Sequence, residues 1–296
     1  MSDKEFLKPN PLKQIFNSHS FTNGEMYRHL RDKKHTEYQQ FLNNVMLNRT
    51  LHAHNVIHKD GYYTVIDDNH VEYKINSAGL RSKNFDQIKS SPVIVGIGCS
   101  ITHGTGLTPE ETWIHKLATE LRCDYVNLSM PGCSTAITSV YCTEYILKQF
   151  SNVKAVCVYV PPPNRVDLLC YSDLNEAQYN LTEQEVVTDN LLNMIDRDYT
   201  TNPPKPEDNT IIRGIEHTAF LNYTKDDLLL KYACESHDVP YVSIDSELFQ
   251  VTLFDGLDPE QRMIYENNKA RDGKHDGDLL HTDISREFLR ELNELI

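Results

Sequence analysis

The segment VIVGIGCSITHGTG, residues 93–106, places Cys99, Ser100 and His103 in a glycine-rich run directly after an apolar, β-branched one. Glycine-rich turns after a strand serve either phosphates or nucleophiles, and the residue types separate the two. A P-loop needs a lysine after its last glycine; the spacing from Gly98 to Gly104 is wrong and no lysine follows. A dinucleotide fingerprint needs a third glycine where Ile101 stands after Gly96 and Gly98. A serine between strand and helix fits a nucleophile, because the turn lifts its hydroxyl above the sheet edge. That hydroxyl is weak alone. It requires a base, normally a histidine oriented by a carboxylate, and donors aimed at the oxyanion that develops in acyl transfer.

The elements around this segment alternate. PVIVGIG reads as a short buried strand of the parallel kind. TPEETWIHKLATELR opens with Thr108 as N-cap, Pro109 at the first helical position and Glu111 completing a capping box. DYVNLS, KAVCVYV and VPYVSID are further strands, STAITSVYCTEYILKQF and AFLNYTKDDLLLKYACESH helices, and DISREFLRELNELI a final amphipathic helix. Strands alternating with helices imply a parallel sheet covered on both faces, and in such sheets ligands bind outside the carboxyl ends of the strands. The Ser100 segment lies at that end of the first strand. Trp113 is expected to pack helix against sheet rather than to line a cleft.

Residues 1–90 read differently. EMYRHLRDKKHTEYQQFLNNVMLN is a polar helix with a partial apolar stripe, and GYYTVIDDNHVEYKIN a hairpin about Asp67, Asp68 and Asn69. With little core of their own they form an extension expected to dock or to oligomerise, on the chain's own domain, on a second copy or on an assembly partner. SSP at residues 90–92 marks the boundary with a domain of residues 91–296.

VIVGIGCSITHGTGLTPEETWIHKLATEL followed by NLSMPGCSTA resembles the first and second blocks of SGNH hydrolases, the GDSL esterases, and YKINSAGLRS resembles a lead-in found before that domain in some members. The resemblance covers residues 93–296, apart from a stretch at about 166–238 that matches nothing specific and reads as an insertion over the site. It implies a flavodoxin-like α/β/α sandwich with Ser100 as nucleophile and no cofactor. The oxyanion hole would comprise the Ser100 and Gly132 N–H groups and the Asn164 amide. The family's late Asp-x-x-His has two candidates, Asp272 with His275 and Asp278 with His281. The first pair is favoured, because it falls on a polar loop ahead of the last helix; Asp278 has a ready use at the helix start. His275 would then take the serine proton, and Asp272 would fix its tautomer. His103 and Arg165 are candidate substrate contacts. Two departures stand out: Cys99 replaces the usual aspartate of the first block, and Pro162-Pro163-Asn164-Arg165 replaces Gly-x-Asn-Asp in the third.

Composition narrows the substrate. A formal net charge of −14 opposes nucleic-acid backbones and anionic membranes, and no apolar run approaches a membrane span. No signal peptide is evident, the seven cysteines form no short-spaced framework, and the sequons at Asn48, Asn127, Asn180 and Asn222 read as chance in a soluble protein made in a cytoplasm. His275, Asp276, Asp278 and His281 could also bind a divalent cation, although such residues equally suit a solvated turn. The expectation is a serine esterase, acting on an acetylated carbohydrate or another small ester. Its competitors are an SGNH-like binding or structural module with weak or lost catalysis, and thiol chemistry at Cys99.

Overall fold

The computed structural model describes residues 56–67, 69–88, 90–131, 135–162, 165–171, 184–190 and 224–295. The helix expected within residues 25–48 lies outside them, as do the sequons at Asn48, Asn180 and Asn222.

Four parallel strands form the central sheet: β4 (Val93–Gly98), β5 (Asp124–Ser129), β6 (Val153–Val160) and β9 (Tyr241–Asp245), in the order β5-β4-β6-β9. This is the doubly wound arrangement, with the first strand inside and the chain reversing direction across the sheet after the second. In β4, alternate side chains divide between two cores. Val93, Val95 and Ile97 join Val126, Leu128, Val156 and Val158 on one face, and Ile94 joins Ala155, Cys157 and Ile244 on the other. The first core is closed by α2 (Ala136–Tyr141), which continues through a π turn at Cys142–Ile146, and by α3 (residues 224–236), which inserts Leu230, Ala233 and Cys234. The second core is closed by α1 (Trp113–Glu120) and α6 (Asp278–Leu295). The expected α/β/α sandwich is present.

Trp113 is fully buried there, stacked on Phe288 at 4.6 Å between ring centroids. A tight helix-to-sheet contact explains Gly96: a Cβ would stand 2.3 Å from Ile114 Cδ1. The Thr108 N–H donates to Glu111 Oε2 at 2.7 Å, but the turn so capped, Pro109–Glu111, is 3-10, and the α-helix proper starts at Trp113. Asn127 is buried and its amide Nδ2 donates to the Thr102 carbonyl at 2.8 Å, so this sequon is closed to glycosylation in the folded chain.

The hairpin exists as β2 (Tyr62–Ile66) paired antiparallel to β3 (Glu72–Ile75), and it has a third strand that the sequence reading did not include, β1 (Val56–Lys59). Two further strands, β7 (Arg165–Tyr171) and β8 (Gln184–Asn190), pair antiparallel. After β9, where no helix was expected, come α4 (Ser246–Gly256) and α5 (Pro259–Asn267). Asp245 caps the first, accepting from Glu247 and Leu248 N–H, and Asp258 caps the second through Gln261. No helix among the described residues is long and apolar enough to cross a membrane.

Candidate active site

The carboxyl ends of β4, β5, β6 and β9 carry the segments in which chemistry was sought. Immediately after β4, Ser100 opens a single helical turn, Ser100–His103, closed by Gly104 in the left-handed conformation. The Ser100 N–H is on the first residue of that turn, where no intrahelical acceptor exists. The turn lies so close over the strand end that a Cβ on Gly98 would sit 2.1 Å from Thr102 Oγ1 and 2.8 Å from the Tyr159 carbonyl. Gly96 and Gly98 therefore admit the protein's own side chains and backbone. Ser100 is 8% exposed, and its hydroxyl donates to Cys99 Sγ at 3.9 Å. Cys99 itself is 3% exposed and packs in the first core.

The second half of the site is the loop between α5 and α6. A bridge between Lys269 and Asp276 narrows its base, and Ala270 N–H donates to the His275 carbonyl at 2.9 Å. Within it, Asp272 Oδ1 accepts the N–H groups of Lys274 and His275, each at 3.0 Å, while Asp272 Oδ2 meets His275 Nδ1 at 2.5 Å. Burial works against the Asp272 charge. The ring of His275 and the two N–H groups outweigh it and hold the carboxyl below its ordinary pKa. The histidine side chain remains about a third exposed, its carboxylate partner mostly covered. This is a histidine oriented through Nδ1.

One glycine joins the halves. Gly106, six residues after Ser100, has φ of +77°, and a Cβ there would lie 2.8 Å from Ala270 Cβ and 3.2 Å from the N atoms of Arg271 and Asp272. Its carbonyl accepts Arg271 N–H at 3.0 Å, and the Arg271 guanidinium forks onto Glu111 at 2.6 and 3.0 Å. That fork, ahead of other influences, brings the Glu111 pKa down to about 2. The loop of His275 is thus tied to the segment that follows Ser100.

The other Asp-x-x-His pair is arranged differently. His281 is 1% exposed, and its Nδ1 accepts the Trp113 N–H at 3.0 Å, capping α1 from the core. Burial, reinforced by Lys116 and Arg81, drives its pKa down to about 3. Asp278 faces outward to Lys116 at 2.6 Å, and Asp276 pairs with Lys269 at 2.9 Å. The four residues weighed as a cation site therefore diverge, and among the described residues no group of three or more His, Cys, Asp or Glu side chains converges on a point.

His103 stacks on Tyr73 with ring centroids 5.6 Å apart. Burial and the nearby Arg81 bring its pKa down to about 3, against the pull of the Ser129 carbonyl, and Nδ1 is enclosed without a partner among the described residues. The sequence reading overlooked Tyr73 and Arg81, although both stand in the quoted lead-in. Gly132 and Asn164 lie outside the described residues, as does the side chain of Arg165.

The chain matches no model of a known protein family, and no curated protein matches it significantly.

Proposed function

We propose that the chain is a serine esterase of the SGNH type, with Ser100 as nucleophile, His275 as base and Asp272 as its orienting carboxylate. The observation that carries this reading is the hydrogen-bonded Asp272–His275 pair on a loop packed, through Gly106, against the segment of Ser100. His275 Nε2 takes the Ser100 proton as Oγ attacks an acyl carbon, and returns it to the leaving alcohol. Asp272 keeps the proton of Nδ1 in place and offsets the imidazolium charge. The Ser100 N–H supplies one oxyanion donor, with Gly132 and Asn164 as its proposed companions; losing one such donor typically costs ~10²–10³ in rate. The favoured substrate is an O-acetylated carbohydrate or another small ester, which the −14 net charge does not repel as it would an anionic surface.

A specific observation supports a second reading, a binding module with weak catalysis. Ser100 donates to Cys99 Sγ, and among the described residues no hydrogen bond joins its hydroxyl to His275. Such contacts often tighten only when substrate is bound. Hydrolysis of p-nitrophenyl acetate and labelling by a fluorophosphonate, in wild type, Ser100→Ala and His275→Ala, decide between them. Turnover and labelling in wild type that vanish in both variants are expected. A wild type inert in both assays refutes the esterase and leaves the module.

A further inference from the structure

We infer that Tyr73 and Arg81, which precede the α/β sandwich in the chain, are positioning residues for the reaction: together they brace the Ser100 turn and hold the His275 loop in register with it. The inference rests on the serine-esterase reading of the site.

Arg81 reaches the turn by a local device. Asn76 is buried, accepts the N–H groups of Ala78 and Leu80 on Oδ1 and donates through Nδ2 to the Lys83 carbonyl. The tight turn so formed delivers Arg81 beneath the first glycine-rich loop, where it is 4% exposed. Its Nη1 donates to the carbonyls of His103 at 2.9 Å and Gly104 at 2.7 Å, and its Nη2 to that of Leu107 at 2.6 Å. These carbonyls belong to the end of the Ser100 helix and to the loop it feeds. One planar, charged fork thus fixes three peptide groups, which an ammonium on a flexible stem would not reproduce. The guanidinium also lies over the Tyr73 ring, 4.6 Å from its centroid.

Tyr73 completes the link. Its hydroxyl accepts the Gly106 N–H at 2.7 Å and donates to Asp67 Oδ2 at 2.9 Å. The other side of the same residue, the Gly106 carbonyl, receives Arg271, the residue before Asp272. A continuous line therefore runs Asp67, Tyr73, Gly106, Arg271, Asp272, His275, while Arg81 holds Ser100's own turn. Displacing a catalytic group by about 1 Å costs as much as 10²-fold in rate, so contacts that touch no substrate can still govern turnover. The hairpin has an internal task whatever else residues 1–90 contact.

The test compares two tyrosines of the same hairpin. Tyr62 and Tyr73 are each 7% exposed, and the Tyr62 hydroxyl also makes two hydrogen bonds, to Gln87 Oε1 and from Asn84 N–H, away from the Ser100 turn. Wild type, Tyr73→Phe, Tyr62→Phe, Arg81→Lys and Ser100→Ala are assayed for kcat and KM on p-nitrophenyl acetate, fluorophosphonate labelling rate and thermal midpoint. Tyr73→Phe is expected to lower kcat and the labelling rate by about tenfold or more with KM within about twofold, the signature of lost transition-state alignment. Arg81→Lys is expected to do the same, and Tyr62→Phe to lower only the midpoint. The brace is overturned if Tyr73→Phe turns over at the wild-type rate, or if Tyr62→Phe loses kcat equally; Tyr73→Phe decides alone should Arg81→Lys fail to fold. A different result, a wild type without turnover or a Ser100→Ala variant that keeps it, sinks the esterase reading and with it any catalytic role for the brace.

Discussion

Replacing His281 with asparagine tests whether the second Asp-x-x-His pair is part of the framework. In the fold, His281 is a neutral acceptor for the Trp113 N–H, with a pKa brought from 6.5 down to about 3 chiefly by burial. The unfolded chain protonates this histidine first as pH falls, so its contribution to stability is complete above pH 6.5 and declines steadily below it. Between pH 7.5 and pH 5.0 the linkage relation gives a loss of about 2 kcal/mol from this one group. Asparagine can offer Oδ1 near the position of Nδ1 and does not titrate. Urea unfolding of wild type and His281→Asn at the two pH values therefore isolates the term, because the other titrating groups, His103 included, cancel in the comparison. The variant should lose about 2 kcal/mol less on acidification than wild type, whatever its cost at pH 7.5. It should also retain esterase turnover. Parallel losses in the two proteins would refute the buried neutral histidine, and a stable His281→Asn variant without turnover would move the base from His275 to His281.

Two further outcomes follow from the packing and the site. Gly96→Ala places a methyl 2.3 Å from Ile114 Cδ1 and 3.0 Å from Trp113 Cη2, both fully buried, and should destabilise by ~1–3 kcal/mol in urea unfolding; an unchanged midpoint would mean that α1 does not seat on β4 as described. Asp272→Asn keeps the shape of the His275 loop but removes the charge opposite Nδ1, so kcat should fall by ~10³–10⁴ with the thermal midpoint little changed; a loss below tenfold would show that the carboxylate does not orient the base.

The α/β sandwich was legible because its signals are local and strong. Val93, Val95 and Ile97 on one side, with Ile94 on the other, make the continuous apolar run of a strand buried on both faces, and the glycines after it mark its end. The Asp272–His275 loop was also visible as a polar break before an amphipathic helix. Helices α4 and α5 were not, since Leu248, Val251, Met263 and Ile264 are more than half exposed and break the expected division of polar and apolar faces. Their real markers were the caps, Asp245 and the Asp258–Gln261 box. The brace was hidden for another reason: Tyr73 and Arg81 act over 33 and 26 residues of sequence, through backbone atoms of Gly106 and Leu107, and backbone acceptors leave no pattern in side-chain types.

On the serine-esterase reading, the position of Cys99 bears on what the Ser100 turn requires. In the block that this segment resembles, the residue before the serine is an aspartate, whose carboxylate can organise the turn from within. Here a thiol in the apolar core cannot accept hydrogen bonds with comparable strength, and an ionised carboxylate in that environment would need a charged or N–H partner of its own. The turn is instead closed by its own backbone, with Cys99 and Ser100 carbonyls accepting the N–H groups of His103, Gly104 and Thr105 at 2.8–3.1 Å. At its far end Arg81 takes the carbonyls of His103 and Gly104, the latter shared with the Leu107 N–H at 3.1 Å. Arg81 thus holds from outside the turn that Ser100 opens, while Cys99, the residue before it, packs in the core.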